Sequence, residues 1–216
     1  SIYYLLHKFT EFDPDPKYPG DTDTKLLLSI VDLRANGGYG DIIQKNVPLL
    51  EKYLSGGDLT AVRHANGKDW WIAVTGRVSN SYYAIHLSDT GRVKVVESVL
   101  GPPTGYIDNG GSQSCFSPDG RLFARMGPST GLFLLDFDRN TGVFSNIRTA
   151  ITSKEIEDAT TGACFSPNNR YLYITTEVDL WQLDTRASDL QASLTHIDTW
   201  DGYVDGGIWA AQFNQM

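Results

Sequence analysis

Two segments of this chain are near copies of each other. Residues 115–121 read CFSPDGR and residues 164–170 read CFSPNNR, 49 residues apart. Each leads into an apolar strand, LFARM from Leu122 and YLYITT from Tyr171. A second strand then ends in Asp: LFLLDFD at Asp138 and DLWQLD at Asp184. A weaker copy lies upstream. TAVRHANG spans Thr60–Gly67, and DWWIAV, YYAIHL, the turn SDTG and RVKVVESV follow it. Repetition at about 50 residues, with four short strands per unit, is the pattern of radially arranged antiparallel sheets.

Turn chemistry punctuates the units at matching places. Pro118-Asp119-Gly120, Asn66-Gly67 and Asn168-Asn169 supply residues that tolerate positive φ after the first strand of each unit. Asp89-Thr90-Gly91, Asn140-Thr141-Gly142 and Asn36-Gly37-Gly38 stand where outer hairpins should turn. Long helical patterns are absent, and one short helical turn is expected near 153–158.

The fold class expected is therefore all-β: a β-propeller of four-stranded antiparallel blades, cut from a longer chain. The boundaries expected are a partial blade at 1–58, blades at 59–105, 106–155 and 156–203, and the first strand of a further blade at 204–216. Three strands precede the full units: SIYYLLHKF, KLLLSIVDL and DIIQKNVPLL. One, GIWAAQF, follows them. Closure of a four-bladed ring by the two ends is the competing reading, attractive because it leaves no raw sheet edge. Glu11–Thr24, with three prolines and five acidic residues, is expected to be a solvated insertion loop. Phe116, Phe123, Phe165, Leu172 and Trp181 are expected to pack between blades.

Composition narrows function by exclusion. Eighteen Lys and Arg against 26 Asp and Glu give a net charge of −8, which opposes nucleic acid. No apolar run reaches the ~20 residues of a transmembrane helix, and no signal peptide opens the sequence. Cys115 and Cys164 are too few for a disulfide framework and are expected to be reduced and buried.

FSPDGRLFA at 116–124 and FSPNNRYLYIT at 165–175 resemble the blade signature of bacterial TolB-like and WD-like propellers. KLLLSIVDLRANGGYGDIIQKNVPLL and HANGKDWWIAV are similar to secreted or surface proteins of bacteria with a type IX secretion system, in which a C-terminal sorting domain follows the propeller. The resemblance implies further blades and an extracellular or cell-surface address. It supplies no catalytic residues.

His64, Asp69, Trp70 and Trp71 form the most conspicuous cluster. As a ligand site, the tandem Trp would stack on sugar rings beside His64. As a structural feature, Asn66-Gly67 is a turn braced by Asp69, and one Trp is core while its neighbour faces the other way. Asp136, Asp138 and Asn140 resemble the start of a calcium loop, but Gly142 comes one place late and Ile147 stands where a Glu is needed. Ser117 and Ser166, each beside Pro, read as turn residues. No catalytic motif, metal site or cofactor is identified.

The leading expectation is a non-enzymatic binding or scaffold module presenting blade loops to a protein, peptide or glycan. The alternatives are a propeller-type hydrolase or lyase acting on polysaccharide or peptide, and a structural component of a membrane-associated envelope complex.

Overall fold

A computed structural model describes residues 1–13, 20–105, 108–150, 162–176, 178–205 and 209–210. The chain divides into two compact units, Ser1–Leu54 and Ser55–Met216.

The first unit is a three-stranded antiparallel sheet of β1 (Ile2–Asp13), β2 (Gly20–Asp32) and β3 (Asp41–Leu54), in that order. Its middle strand, paired to β1 on one side and β3 on the other, carries the buried apolar run Leu26, Leu27 and Leu28. Here the expected acidic loop is corrected. β1 runs on to Asp13 and β2 starts at Gly20, so Glu11 faces Thr22 and Phe12 faces Asp21 across a continuing ladder. Polar side chains stitch this extension. Thr10 donates to Asp23 at 2.6 Å, Thr24 donates to Glu11 at 2.7 Å, and Lys8 lies 3.8 Å from Asp23. The prolines at 14, 16 and 19 lie outside the described residues.

The second unit holds three four-stranded antiparallel sheets. The first is β4 (Thr60–Arg63), β5 (Trp70–Thr75), β6 (Ser81–Leu87) and β7 (Val93–Val99). The second is β8 (Gln113–Phe116), β9 (Leu122–Gly127), β10 (Gly131–Asp138) and β11 (Val143–Ala150). The third is β12 (Gly162–Phe165), β13 (Tyr171–Thr175), β14 (Asp179–Asp184) and β15 (Thr195–Thr199). In every sheet the strands pair in sequence order, and the four-residue first strand forms one edge. Those first strands are neighbours, with β8 between β4 and β12. A two-stranded hairpin, β16 (Val204–Asp205) and β17 (Trp209–Ala210), follows. The expected strand GIWAAQF is thus represented by Trp209–Ala210, paired to Val204–Asp205; residues 206–208 and 211–216 lie outside the described residues. So does the helical turn expected near 153–158, while a one-turn helix forms at Asp108–Gly111.

The turn after each first strand is the same structure three times. The N–H of His64, Ser117 and Ser166 donates to the carbonyl of Asp69, Leu122 and Tyr171 respectively. Gly67, Gly120 and Asn169 carry the positive φ, at 72°, 71° and 61°. Ser117 Oγ and Ser166 Oγ accept from Leu122 N and Tyr171 N, which fixes both as turn residues.

Alternation along the middle sheet sets the packing, because successive side chains leave a strand on opposite faces. Phe123, Phe133, Leu135 and Phe137 meet Trp71, Ala73, Tyr82 and Ala84 of the first sheet. Ala124, Met126, Leu132 and Leu134 meet Ala163, Phe165, Leu172, Ile174 and Leu183 of the third. One interface is mainly aromatic, the other aliphatic. Phe116 packs partly buried on the first, and Trp181 on the second.

Arg125 shares the aromatic face with Phe123 and is fully buried. Its Nε donates to Asp58 at 2.6 Å, and its Nη1 lies 3.6 Å from Asp108. Thr75 also donates to Asp58, and Thr130 to Asp108. Burial works against ionised Asp108, but Arg125 and the N–H groups of Ser129 and Gly105 outweigh it and hold its pKa down.

Replacing Phe123 with Ala should cost about 3–5 kcal/mol of unfolding free energy. Arg125→Met should cost about 3–5 kcal/mol, because Asp58 stays buried without its cation, and Asp58→Asn on top should recover part of the loss. Urea unfolding of the three variants checks both.

Candidate functional site

The turn between β4 and β5 builds the site. Asn66 Oδ1 accepts from the N–H of Lys68 and Asp69, at 2.9 and 3.0 Å, which folds the turn tightly. That closure aims the Asp69 side chain at β6. Asp69 Oδ1 accepts from Asp89 N at 3.0 Å; Oδ2 accepts from Asn66 Nδ2 and from His86 Nε2, both at 2.9 Å. The Asp89 amide, then the Asn66 amide, hold the carboxyl below its ordinary range against partial burial, and His86 adds to them.

An ionised carboxylate only accepts, so His86 Nε2 carries the proton. Nδ1 of His86 makes no hydrogen bond to the described residues. The side chains of Asp69 and His86 are 11% and 23% exposed. This is a carboxylate–imidazole pair with the second ring nitrogen free, the arrangement a general base requires.

Cross-strand register places His86 opposite Trp71. Their ring centroids are 4.8 Å apart, and His64 completes a triangle at 4.9 Å from His86 and 5.6 Å from Trp71. Trp71 is 2% exposed and donates Nε1 to Arg139 O at 2.8 Å. Gly142 is required here, since a Cβ on it would lie 2.4 Å from the Trp71 ring. His64 Nδ1 accepts from Asn66 N at 3.0 Å, leaving Nε2 to face Asn140 O at 3.3 Å. Both nitrogens of His64 are thereby occupied, whereas one of His86 is not.

Of the four residues singled out in the sequence, the structure brings His64, Asp69 and Trp71 together. Trp70 points to the other face, 41% exposed, with the Arg63 guanidinium 4.8 Å from its ring centroid. Sequence reasoning missed His86. Its signal was the hairpin register, which sets the His of YYAIHL against Trp71. A second such pair, His196 Nε2 to Asp179 at 2.9 Å, is more exposed and shares its carboxylate with Thr199.

Beside His64 a cleft of about 560 Å³ opens between this turn and the end of β10, lined by Ala65, Arg121, Asp136, Asp138, Arg139 and Asn140 among others. That volume suits a ligand of sugar size. Arg139 shapes its wall, donating to the carbonyls of Arg63, Asp119 and His64. The two carboxylates that resembled a calcium loop diverge. Asp136 accepts from Arg148 and Asn146, whereas Asp138 accepts from Asn140 N and Thr141 Oγ1, which lower its pKa. Among the described residues no three His, Cys, Asp or Glu side chains gather as metal ligands. No described helix is long and apolar enough to cross a membrane.

No protein-family model and no curated protein matches the chain. Solved structures do. The periplasmic gluconolactonase of Pseudomonas aeruginosa aligns at TM-score 0.54 and 16% identity, over 90% of this chain and 54% of its own. A candidate 6-phosphogluconolactonase of Bacteroides fragilis aligns at 0.51 and 14%, over 90% and 54%. Another from Bacteroides uniformis aligns at 0.52 and 14%, over 92% and 68%. The fold is a β-propeller. The chain spans about half the length of the first two of these structures. TolB-like and type IX features do not emerge from the likeness. The expectation of a non-enzymatic binding or scaffold module is corrected: the three solved propellers above carry lactonase names.

Asp69 tests the role of the turn. A carboxyl depressed in the folded state stabilises above its unfolded pKa, near 4, and that contribution is lost as pH falls through the lower folded value. Asp69→Asn should therefore lower stability at neutral pH and flatten its acid limb. Urea midpoints between neutral pH and pH ~2 measure this.

Proposed function

We propose that this chain is a section of a hydrolytic propeller in which Asp69 and His86 form the acid–base pair and the substrate is a sugar-derived lactone. The observation that carries the reading is the free Nδ1 of a His86 whose Nε2 is held by an ionised Asp69. The lactone substrate is taken from the names of the propellers that share the fold.

In this mechanism His86 Nδ1 removes a proton from water as the oxygen attacks the lactone carbonyl. Asp69 stabilises the imidazolium that forms, and the same proton passes to the departing ring oxygen, opening the ring to a hydroxy acid. Trp71 closes one side of the imidazole to water, and His64, with both nitrogens occupied, holds the cleft wall through Asn140.

Export to the bacterial surface by a type IX route belongs to the same proposal and rests on the sequence resemblance. In that setting a glycan or protein of the envelope is the expected partner.

The test is hydrolysis of gluconolactone by the full-length protein, followed by base uptake at constant pH. His86→Gln should lower kcat/KM by about 10²–10⁴ while leaving Tm near the parent value. Hydrolysis no faster than the spontaneous rate, or full activity in His86→Gln, overturns the reading.

A further inference from the structure

Asn-Gly occurs three times in the chain, at 36–37, 66–67 and 109–110. The third pair sits in the one-turn helix Asp108–Gly111. The other two are turn residues in the same outward setting. Asn36, Gly37, Asn66 and Gly67 are all exposed, and nothing lies within 4 Å of where a Cβ on either glycine would stand. Gly37 and Gly67 share a positive φ, at 66° and 72°. Local sequence and solvent access therefore treat the two asparagines alike.

Hydrogen bonding separates them. At Asn66 every reactive part is engaged. Oδ1 accepts from Lys68 N and Asp69 N, Nδ2 donates to Asp69 Oδ2 at 2.9 Å, and Gly67 N donates to His64 O at 3.0 Å. At Asn36 the turn between β2 and β3 is closed by other groups. Gly38 N and Gly40 N donate to Ala35 O, and Tyr39 N donates to the main-chain carbonyl of Asn36. Neither the Asn36 side chain nor the Gly37 N–H bonds to a described residue. A free backbone N–H thus follows a free carboxamide, and glycine places no side chain between them.

We infer that Asn36 is a spontaneous deamidation site, at which Gly37 N closes on the Asn36 side chain to give a succinimide and then an acidic residue. Hydroxide takes the Gly37 amide proton, and the nitrogen attacks Asn36 Cγ. The Cγ–Nδ2 bond breaks, and Nδ2 leaves as ammonia with a proton from water. Water then opens the imide. Cleavage of the new N–Cγ bond yields Asp, whereas cleavage of the original peptide bond yields isoaspartate. The sum is one amide and one water giving one acid and one ammonia, with no change of oxidation state. Either product sets a carboxylate in the hairpin turn, and isoaspartate also lengthens its backbone by a methylene.

The full-length protein is incubated at neutral and alkaline pH, folded and in parallel in guanidinium chloride, and sampled over time. Peptide mass spectrometry reads the amide-to-acid mass gain at Asn36 and Asn66, and chromatography separates Asp from isoaspartate. In the folded protein Asn36 should convert about 10²-fold faster than Asn66, the factor that a few net hydrogen bonds set against local opening. Its rate should rise with pH. In guanidinium chloride the two rates should converge. Equal rates in the folded protein, Asn66 ahead of Asn36, an Asn36 that converts only when unfolded, or the same gap in denaturant overturns the assignment.

Discussion

A sheet buried on both faces must find a partner for each, and that demand governs the second unit. The middle sheet meets it by division of labour along one alternating pattern. Phe123, Phe133 and Phe137 leave on one side, and Ala124, Met126, Leu132 and Leu134 on the other. Apolar burial of this kind is non-directional, so it drives association without choosing an angle between sheets. Direction comes from polar cross-links. Gln113 to Ala163 and Asp119 to Asn169 fix the second and third sheets, Arg148 to the Thr185 carbonyl ties their outer parts, and Arg139 to Arg63 and His64 fixes the second to the first. Each such bond is worth about 0.5–1.5 kcal/mol, and about 1.5–3 kcal/mol where a charged Arg donates, and together they select one register from the many that the apolar layers alone would accept.

The candidate site grows from the same interface. Trp71 belongs to the aromatic layer through Phe137, edge-on at 6.1 Å, and reaches past it to bond Arg139. Its other face supports His86, and the turn that carries Asp69 is closed against the same ring by His64. The imidazole–carboxylate pair therefore rests on strands and packed rings, with few torsions left free. Such preorganisation is where enzymes gain most from a rigid scaffold. Asp69 keeps its charge through neutral donors from Asn66 and Asp89, so the pair can take up a proton without a competing cation beside it.

Much of the fold was legible because the repeat places turn residues, apolar strands and alternation in phase, and three levels of pattern agree at Thr60, Gln113 and Gly162. The acidic stretch after Phe9 was misread because charge and proline suggest solvation, whereas pairing across a hairpin satisfies Thr10, Glu11, Asp23 and Thr24 with one another. A solvated composition and a solvated strand pair look alike in one dimension. Cys164, exposed rather than buried, was misplaced for a similar reason: average burial of cysteine says nothing of which side of an edge strand a given thiol takes.

His86 shows why the absence of a motif is weak evidence in a protein of this kind. Motifs are read from fixed spacing along the chain, and they work where a helix or a single loop carries the whole constellation. In an antiparallel hairpin the neighbours of a residue are set by where the turn falls, so Asp69 and His86, 17 residues apart, meet only because β5 and β6 pair Trp71 with His86. Lengthening that turn by one residue would swing His86 to the other face and break the pair without altering a single functional residue. Chemistry distributed in this way is written in the register of the sheet and not in spacing along the chain.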